Sequence, residues 1–294
     1  MDGRGTDPTG RRLRRLPVAR TAAGGFRLVA NRSRRGARAG DAGGVYEERL
    51  SRRVDGAVVW RRGALPDVRR ARVLPDGCMD LIWTAGGLLV AGPDTRAHLV
   101  DDVPGTSYVG LRFAPGTGPR VLGVPAHELR DARVPLDALW LGREVRELTD
   151  RVAEASDRAR VLEDLAADRL RGVPDDPLSR AVAARLRAGG SVAAVARASG
   201  LSARQLHRRS LTAFGYGPKT LARVLRLERA LRMARAGVPA ASVAASAGYA
   251  DQAHFSREVR ELTGVQLSVL LSGRSSRRGA KRETEMPSGS RTTA

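Results

Sequence analysis

The sequence predicts an α+β protein: a small antiparallel β sandwich or barrel-like N-terminal domain, and an all-α C-terminal domain of two helix-turn-helix units joined by a linker helix. Three features support this fold class. Short apolar segments separated by turn residues fill the first half, the hydrophobic period becomes helical near residue 142, and one helical pattern occurs twice after residue 190. With 294 residues and 42% hydrophobic content, the chain is long enough for two domains with buried cores.

The charge is distributed unevenly along the chain. Lys and Arg number 52 against 31 Asp and Glu, which gives a net charge of +21. Residues 1–43 hold 11 basic and 3 acidic residues (+8), residues 44–174 hold 20 of each, residues 175–272 hold 15 and 6 (+9), and residues 273–294 hold 6 and 2 (+4). A neutral globular half beside a basic globular half indicates that the basic half binds a polyanion.

Both ends of the chain are expected to be disordered. Residues 1–43 and 273–294 are rich in Gly, Arg and Ser and have no hydrophobic period, which is typical of basic arms. No apolar stretch follows the charged start, no segment is long enough to span a membrane, and Cys78 is the only cysteine. These features predict a cytoplasmic protein with no membrane partner, no disulfide and no bound metal.

A β-rich domain is predicted over residues 44–172. Its first part holds six strand-sized segments separated by turn-forming Pro, Gly and Asp residues. Segments at this spacing are typical of a small antiparallel sandwich or barrel. They are residues 56–62, 69–75, 78–84, 87–92, 96–100 and 107–113.

One amphipathic helix is expected to close this domain. Seven apolar residues recur in steps of three and four along a helix that ends near Arg171. Their stripe either packs on its own domain or forms a homodimer seam through residues 145–166. Residues 173–177 then read Val-Pro-Asp-Asp-Pro and form a linker. The stripe consists of Val145, Leu148, Val152, Ala155, Ala159, Leu162 and Ala166.

Residues 178–272 contain one helical pattern twice. In the first copy, Ser191 can cap a short helix that ends at Ser199, a Gly-Leu turn follows, and Ser202 can cap a second helix. On this second helix Leu206 points inward, which places two arginines about 160° away on the outer face. They are Arg204 and Arg208.

In the second copy, residues 239–264, the stretch VAASAG echoes VARASG of the first. Gly248 opens the turn and Asp251 can cap the following helix. The inner stripe of that helix is Phe255, Val259 and Leu262, whereas Ala253 and Arg257 lie outward, flanked by Gln252 and Ser256. Two copies in a basic segment predict a pair of DNA-reading helix-turn-helix units.

The two copies are joined by a helix predicted over residues 218–237, with Pro at its start and Gly at its end. About nineteen helical residues span roughly 28 Å, close to the ~34 Å between major-groove faces one DNA turn apart. One chain can therefore place two reading helices in consecutive major grooves of double-stranded DNA. Arg223, Arg226 and Arg229 on the linker helix are candidates for phosphate contacts.

The tandem pattern, with Gly-Tyr-Gly-Pro-Lys closing the first copy and Leu-x-x-Ala-Leu in the linker helix, resembles the AraC/XylS family of bacterial transcription regulators. The resemblance covers about residues 175–272. It implies a nucleoid-associated, sequence-specific regulator whose base-reading residues lie early on the two recognition helices. By motif these are Arg204, His207 and Arg208 in the first helix, and Gln252, Ala253, Ser256 and Arg257 in the second. Ser202 and Asp251 join the three linker arginines as candidates for phosphate contacts.

Two further features bear on this resemblance. The family usually has Pro shortly after the Gly that ends the second recognition helix, whereas this chain reads Gly264-Val265-Gln266-Leu267 before a last short helix expected over residues 268–271. The N-terminal half is similar to a domain found ahead of this module, through LPDGCMDLIW (74–83), AGPDT (91–95), VGLRF (109–113) and VLGVPAHELRDARVPL (121–136). Its position implies a ligand-sensing or dimerising domain. The expected partners are double-stranded DNA, RNA polymerase, an unidentified small-molecule effector and a second copy of the chain.

No catalytic residue and no cofactor are predicted. The four histidines lack metal-ligand spacing, and neither a Gly-x-Ser-x-Gly elbow nor a phosphate loop occurs. Asp76 and Asp80 lie on either side of Cys78, which leaves open a cysteine-based redox or methyl-accepting sensor, although a tight turn followed by a strand explains the same residues. The other alternative is a non-specific, architectural DNA-binding protein whose basic tails bind any duplex.

Overall fold

A computed structural model describes residues 46–64, 70–101, 103–272 and 283–286. Within these ranges, eight strands lie in the N-terminal part and the long helices follow them, so the predicted α+β class is confirmed. The basic arm predicted over residues 1–43 lies outside the described residues. In the part of the chain that the structure describes, no helix combines the length and the apolar character needed to cross a membrane.

Six strands form the main sheet, and every neighbouring pair in it is antiparallel. The nine described strands of both sheets are β1 Tyr46–Leu50, β2 Val58–Arg62, β3 Arg70–Val73, β4 Met79–Thr84, β5 Gly87–Ala91, β6 His98–Asp101, β7 Tyr108–Phe113, β8 Arg133–Pro135 and β9 Glu283–Met286. The order across the main sheet is β1-β2-β7-β4-β5-β8. All six predicted segments contain strands, whereas β1 and β8 were not expected.

One face of the main sheet forms the core of the N-terminal part. Leu81 of β4 lies opposite Leu111 of β7, and both are fully buried together with Phe113. Alternate residues of a strand point to the same face, so these side chains form a continuous apolar layer. They share one core with Leu148 and Leu162 of the helices that follow the sheet. Burial of each such side chain contributes about 1.5–3 kcal/mol to stability.

A second, smaller ladder contains three of the described strands. β3 pairs with β6 in the antiparallel sense and with β9 in the parallel sense. β9 belongs to the tail over residues 273–294 for which the composition predicts disorder, so that expectation fails for these four residues. Without β9, this edge of β3 would leave backbone N–H and C=O groups unpaired, which favours the addition of a further strand. The rest of the tail lies outside the described residues.

Two helices, instead of the single one expected, follow the sheet. After the short α1, Gly118–Leu122, α2 spans Gly142–Glu154 and α3 spans Arg158–Leu170. The backbone is extended at Ala155, and Asp157 caps α3 by accepting a hydrogen bond from the backbone N–H of Arg160. The prediction of one helix is wrong because the apolar spacing continues in phase across this break.

The apolar stripe on α2 and α3 is buried inside the chain. Val145, Leu148, Val152, Ala159, Leu162 and Ala166 are each at most 7% exposed and belong to the sheet core. The stripe therefore packs on its own domain, which was one of the two expected arrangements. The homodimer seam through residues 145–166 is wrong because these side chains have no surface left to offer a second chain.

Seven of the described helices form the C-terminal part. They are α4 Pro177–Arg187, α5 Val192–Ala198, α6 Ala203–Phe214, α7 Pro218–Arg235, α8 Ala240–Ala247, α9 Gln252–Thr263 and α10 Leu267–Ser272. The two predicted helix-turn-helix copies are α5–α6 and α8–α9, and the predicted linker helix is α7. The short last helix also forms, as α10, without the usual proline ahead of it.

Helix α7 contributes side chains to two separate cores. Its N-terminal half packs with α4, α5 and α6 through Leu221, Val224 and Leu225. Its C-terminal half packs with α8 and α9 through Leu227, Ala230, Leu231 and Ala234. Each helix-turn-helix unit therefore has its own core, and one helix runs through both.

Candidate nucleic-acid interface

Local capping chemistry fixes the start of each helix in the first helix-turn-helix unit. The hydroxyl of Ser191 accepts a hydrogen bond from the backbone N–H of Ala194 at the start of α5 (3.2 Å). Ser202 and Gln205 form a capping box: the Gln205 N–H donates to Ser202 Oγ (3.2 Å), and the Ser202 N–H donates to Gln205 Oε1 (2.8 Å). Both pairs satisfy backbone donors that a helix start otherwise leaves unpaired.

The inner and outer faces of α6 are those that the sequence predicts. Leu206 is fully buried, whereas Arg204, His207 and Arg208 are exposed. The guanidinium groups of Arg204 and Arg208 make no ion pair with any described residue. The imidazole of His207 lies against Gly217, where a Cβ atom would come within 2.8 Å of Cε1. The structure therefore brings the three predicted base-reading residues of α6 to one solvent-facing surface.

The second unit has the same arrangement. Gly248 ends α8 with φ +79°, a conformation that favours glycine, and Asp251 caps α9 by accepting a hydrogen bond from the His254 N–H (2.6 Å). Phe255, Val259 and Leu262 are buried. The opposite side of α9 carries the exposed residues Gln252, Ala253, Ser256 and Arg257.

The two capping residues have partners at the start of their own helices, and their phosphate contacts stay a prediction. The Oγ atom of Ser202 accepts a hydrogen bond from the backbone of its own helix, which leaves its O–H group as a donor. The carboxylate of Asp251 likewise accepts from the backbone of its own helix, and it has no hydrogen to donate. A carboxylate also repels a phosphate group. The geometry therefore gives Ser202 and Asp251 a role in starting the recognition helices.

The three linker arginines bond within the chain. Arg223 lies 3.2 Å from Glu258 and 2.9 Å from Glu261. Arg226 lies 2.8 Å from Glu258, donates to the carbonyl oxygen of Gly248 (3.3 Å) and covers the ring of Tyr249. Both guanidinium η nitrogens of Arg229 donate to backbone carbonyls. These contacts give the three arginines a structural role, and their phosphate contacts stay a prediction.

Two family models match the chain, and one of them identifies the type of its C-terminal domain. Residues 195–273 match the family described as "Helix-turn-helix domain", over both units and α7. The chain carries an AraC-type helix-turn-helix domain. It is accordingly a DNA-binding protein of transcription regulation. Residues 47–135 match a "Domain of unknown function (DUF6597)", which fits the expected sensor-like domain ahead of the AraC-type domain.

Several solved structures are similar to this chain at low identity. One is a probable AraC family transcriptional regulator from Rhodopseudomonas palustris CGA009, with 23% identity over 33% of this chain and 96% of that chain, and a TM-score of 0.29. Another is ToxT from Vibrio cholerae in its P21 crystal form, with 11% identity over 74% and 97% of the two chains and a TM-score of 0.42. Unsaturated fatty acid bound wild-type ToxT from Vibrio cholerae strain SCE256 has 12% identity over 76% and 96% and a TM-score of 0.42. No curated protein matches the sequence.

The AraC-type domain carries exposed cations that were not among the predicted DNA contacts. Arg197 near the end of α5, Lys219 at the start of α7 and Arg260 on α9 are exposed and make no ion pair with any described residue. Arg209, next to the predicted base-reading Arg208, is instead paired with Asp176 (2.6 Å). Only the tertiary structure separates paired from unpaired arginines, because their sequence surroundings are alike.

The cysteine ahead of the AraC-type domain does not have the surroundings of a reactive thiol. The Cys78 N–H donates to Asp76 Oδ1 (2.8 Å) in the turn before β4. Burial raises the pKa of the Cys78 thiol, and the Asp76 carboxylate raises it further. A reactive cysteine needs a lowered pKa. Arg112 is buried and lies 3.4 Å from Asp76 and 3.5 Å from Asp80, so the two half-buried carboxylates form an ion-pair cluster with it.

Proposed function

We propose that the protein is a sequence-specific transcription regulator that reads DNA with α6 and α9 in consecutive major grooves of one duplex face. The observation that carries this proposal is the exposed polar surface on the outer side of both helices, with α7 between them. On it, the guanidinium groups of Arg204, Arg208 and Arg257 make no ion pair with any described residue. The 18 residues of α7 give it a length of about 27 Å. This length is close to the ~34 Å that separate successive major grooves.

The side chains on the two surfaces have different base preferences. Arg204 and Arg208 on α6 suit the O6 and N7 atoms of guanine, as does Arg257 on α9. Gln252 suits adenine, and the methyl group of Ala253 suits thymine. The remaining predicted base-reading residues are His207 on α6 and Ser256 on α9. The preferred site is therefore expected to contain two clusters of base pairs with different sequences, about 10 bp apart.

The N-terminal part is proposed to control this reading in response to a small-molecule effector. Support comes from its packing on the first unit: a Cβ atom at Gly215, directly after α6, would come within 2.5 Å of Pro93. A change in the β-rich part is therefore transmitted to the end of α6. RNA polymerase is the proposed protein partner, and the cytoplasm, at the nucleoid, is the proposed location.

The proposal is tested by selection of binding sites from random duplexes, followed by titration of the selected site against unrelated DNA at one fixed salt concentration. A sequence-specific regulator is expected to prefer the selected site by about 10³ or more. An architectural protein would show a ratio near one, because phosphate contacts alone carry no sequence information. That second result would reject the proposed function.

A further inference from the structure

One guanidinium group joins the two helix-turn-helix units. Arg229 of α7 donates from Nη1 to the carbonyl oxygen of Arg187 (2.6 Å) and from Nη2 to the carbonyl oxygen of Ala247 (2.8 Å). Arg187 is the last residue of α4, which packs in the first core, and Ala247 is the last residue of α8, which packs in the second. Arg229 therefore bridges the carboxyl ends of two helices that belong to different units.

The chemistry of this bridge is favourable. The last carbonyl groups of a helix have no partner within the helix and form the negative end of its dipole. A guanidinium group is a planar, permanently charged fork of donors, so two simultaneous bonds fix its orientation. Gly189 makes room for this fork, because a Cβ atom there would come within 3.1 Å of Arg229 Nη1. The bridge thus restrains both distance and angle between α4 and α8.

A second contact fixes the recognition helix of the second unit. Glu258 lies on α9, is only 6% exposed, and its two carboxylate oxygens are bonded by Arg226 (2.8 Å) and Arg223 (3.2 Å). Arg223 lies between Leu221 and Val224, two α7 residues of the first core. The carboxylate of Glu258 therefore ties α9 to the part of α7 that packs in the first unit.

We propose that Arg229 and the Arg223–Glu258–Arg226 cluster form a spacing lock, which fixes the rotation and distance between α6 and α9 and so determines the separation of base clusters that the protein accepts. This inference rests on the proposed function. Hydrophobic packing along α7 is non-directional, whereas these charge-assisted hydrogen bonds are directional. One added base pair moves a base cluster by about 3.4 Å and rotates it by about 35° around the duplex, which a fixed pair of helices cannot follow.

The experiment measures affinity for the selected DNA site and for derivatives with one base pair inserted or deleted between the two clusters. Three variants are compared with the unsubstituted protein at one salt concentration: Arg229→Gln, Glu258→Gln and the matched control Arg232→Gln. Arg232 lies on the same helix and pairs with Glu228 (3.0 Å), which keeps Arg187 as a second partner (3.6 Å). Its substitution therefore removes a charge but none of the hydrogen bonds of the lock.

The unsubstituted protein and Arg232→Gln are expected to lose about tenfold or more in affinity when the spacing changes by one base pair. In Arg229→Gln and Glu258→Gln, the fold-loss of affinity caused by the same spacing change is expected to be at least about three times smaller than in the unsubstituted protein. The reason is that the second unit can then follow the displaced cluster. Variants that retain the full spacing penalty would overturn the lock. Indifference of the unsubstituted protein to spacing would overturn it as well.

A second measurement tests the lock without DNA. Spin labels are placed at Thr212→Cys and Arg260→Cys, exposed positions on α6 and α9, in a Cys78→Ser background, and their distance distribution is recorded by pulsed electron paramagnetic resonance. Arg229→Gln is expected to broaden the distribution while circular dichroism shows intact helices. An unchanged width would overturn the lock. If selection finds no preferred site, the proposed function fails while this measurement still decides the lock.

Discussion

The backbone N–H of Ala97, just ahead of β6, donates a hydrogen bond of 2.7 Å to the carbonyl oxygen of Leu262 near the end of α9. Arg72 of β3 reinforces this contact, because its Nη1 donates to the carbonyl oxygen of Thr263 (2.6 Å). Leu74 adds an apolar side chain to the core of the second unit. The β-rich part therefore helps to complete the second helix-turn-helix unit.

Replacement of Arg72 tests the strength of this contact. Arg72→Met is expected to lower the free energy of unfolding by about 1–3 kcal/mol, because it removes a buried charged donor from the last carbonyls of α9. Arg70→Met on the same strand is the control: Arg70 pairs with Asp101 at the surface, so its loss is expected to cost less than about 1 kcal/mol. Urea titration measures both values. Equal losses would contradict a special role for Arg72.

The base-reading assignment predicts separate effects for two arginines. Arg208→Ala and Arg257→Ala are each expected to cost about 1–3 kcal/mol of binding free energy on the preferred site, and to relax sequence preference at different clusters of base pairs. Arg209→Ala is the control, because its guanidinium group is bonded to Asp176. Binding-site selection on each variant is the measurement. A uniform loss across sequences, with a salt slope reduced by about one, would instead indicate phosphate contacts.

Substitutions of the capping residue Asp251 are expected to change stability and DNA affinity independently. Asp251→Asn keeps a side-chain oxygen for the His254 N–H, so the unfolding free energy is expected to change little. Asp251→Ala is expected to lower it by about 0.5–2 kcal/mol. Both substitutions remove a negative charge beside the DNA surface, so affinity at low salt is expected to stay equal or rise. Thermal denaturation measures the first effect and fluorescence anisotropy the second. Weaker binding by Asp251→Asn would contradict this expectation and indicate a direct contact between Asp251 and DNA.

The ion pair between Arg49 and Glu163 predicts a pH dependence. Burial raises the pKa of the Glu163 carboxyl, but hydrogen bonds from Arg49 (2.7 Å) and the Arg52 N–H (2.8 Å) outweigh burial and hold the pKa at about 2. The ordinary value is 4.5, so the stabilisation is present above pH 4.5 and is lost as the pH falls toward 2. Glu163→Gln is expected to be less stable than the unsubstituted protein at pH 7, with the difference shrinking below pH 4.5. A constant difference in urea titrations across this range would contradict the assignment.

Local signals predicted the helical part well. The caps at Ser191, Ser202 and Asp251 depend on residues within three positions, so the sequence alone reveals them. Other features depend on distant partners. Strands β1 and β8 become strands by pairing with β2 and β5, and their own residues carry little apolar alternation. The arginines of α7 find acceptors such as Ala247 and Glu258 only after the chain has folded, and for this reason their roles could not be predicted.

Because α7 packs in two cores, the unfolding and refolding of the two units are coupled. Neither unit can assemble a complete apolar interior while this helix is unfolded, since Leu221 and Leu225 serve one interior and Leu227 and Leu231 the other. Both units are therefore expected to melt in a single cooperative transition, with equal protection of their amide hydrogens against exchange. A destabilising substitution in either core is then expected to lower the folded population of both helix-turn-helix units at once. A protein in which only one unit is folded and binds DNA is therefore not expected to accumulate.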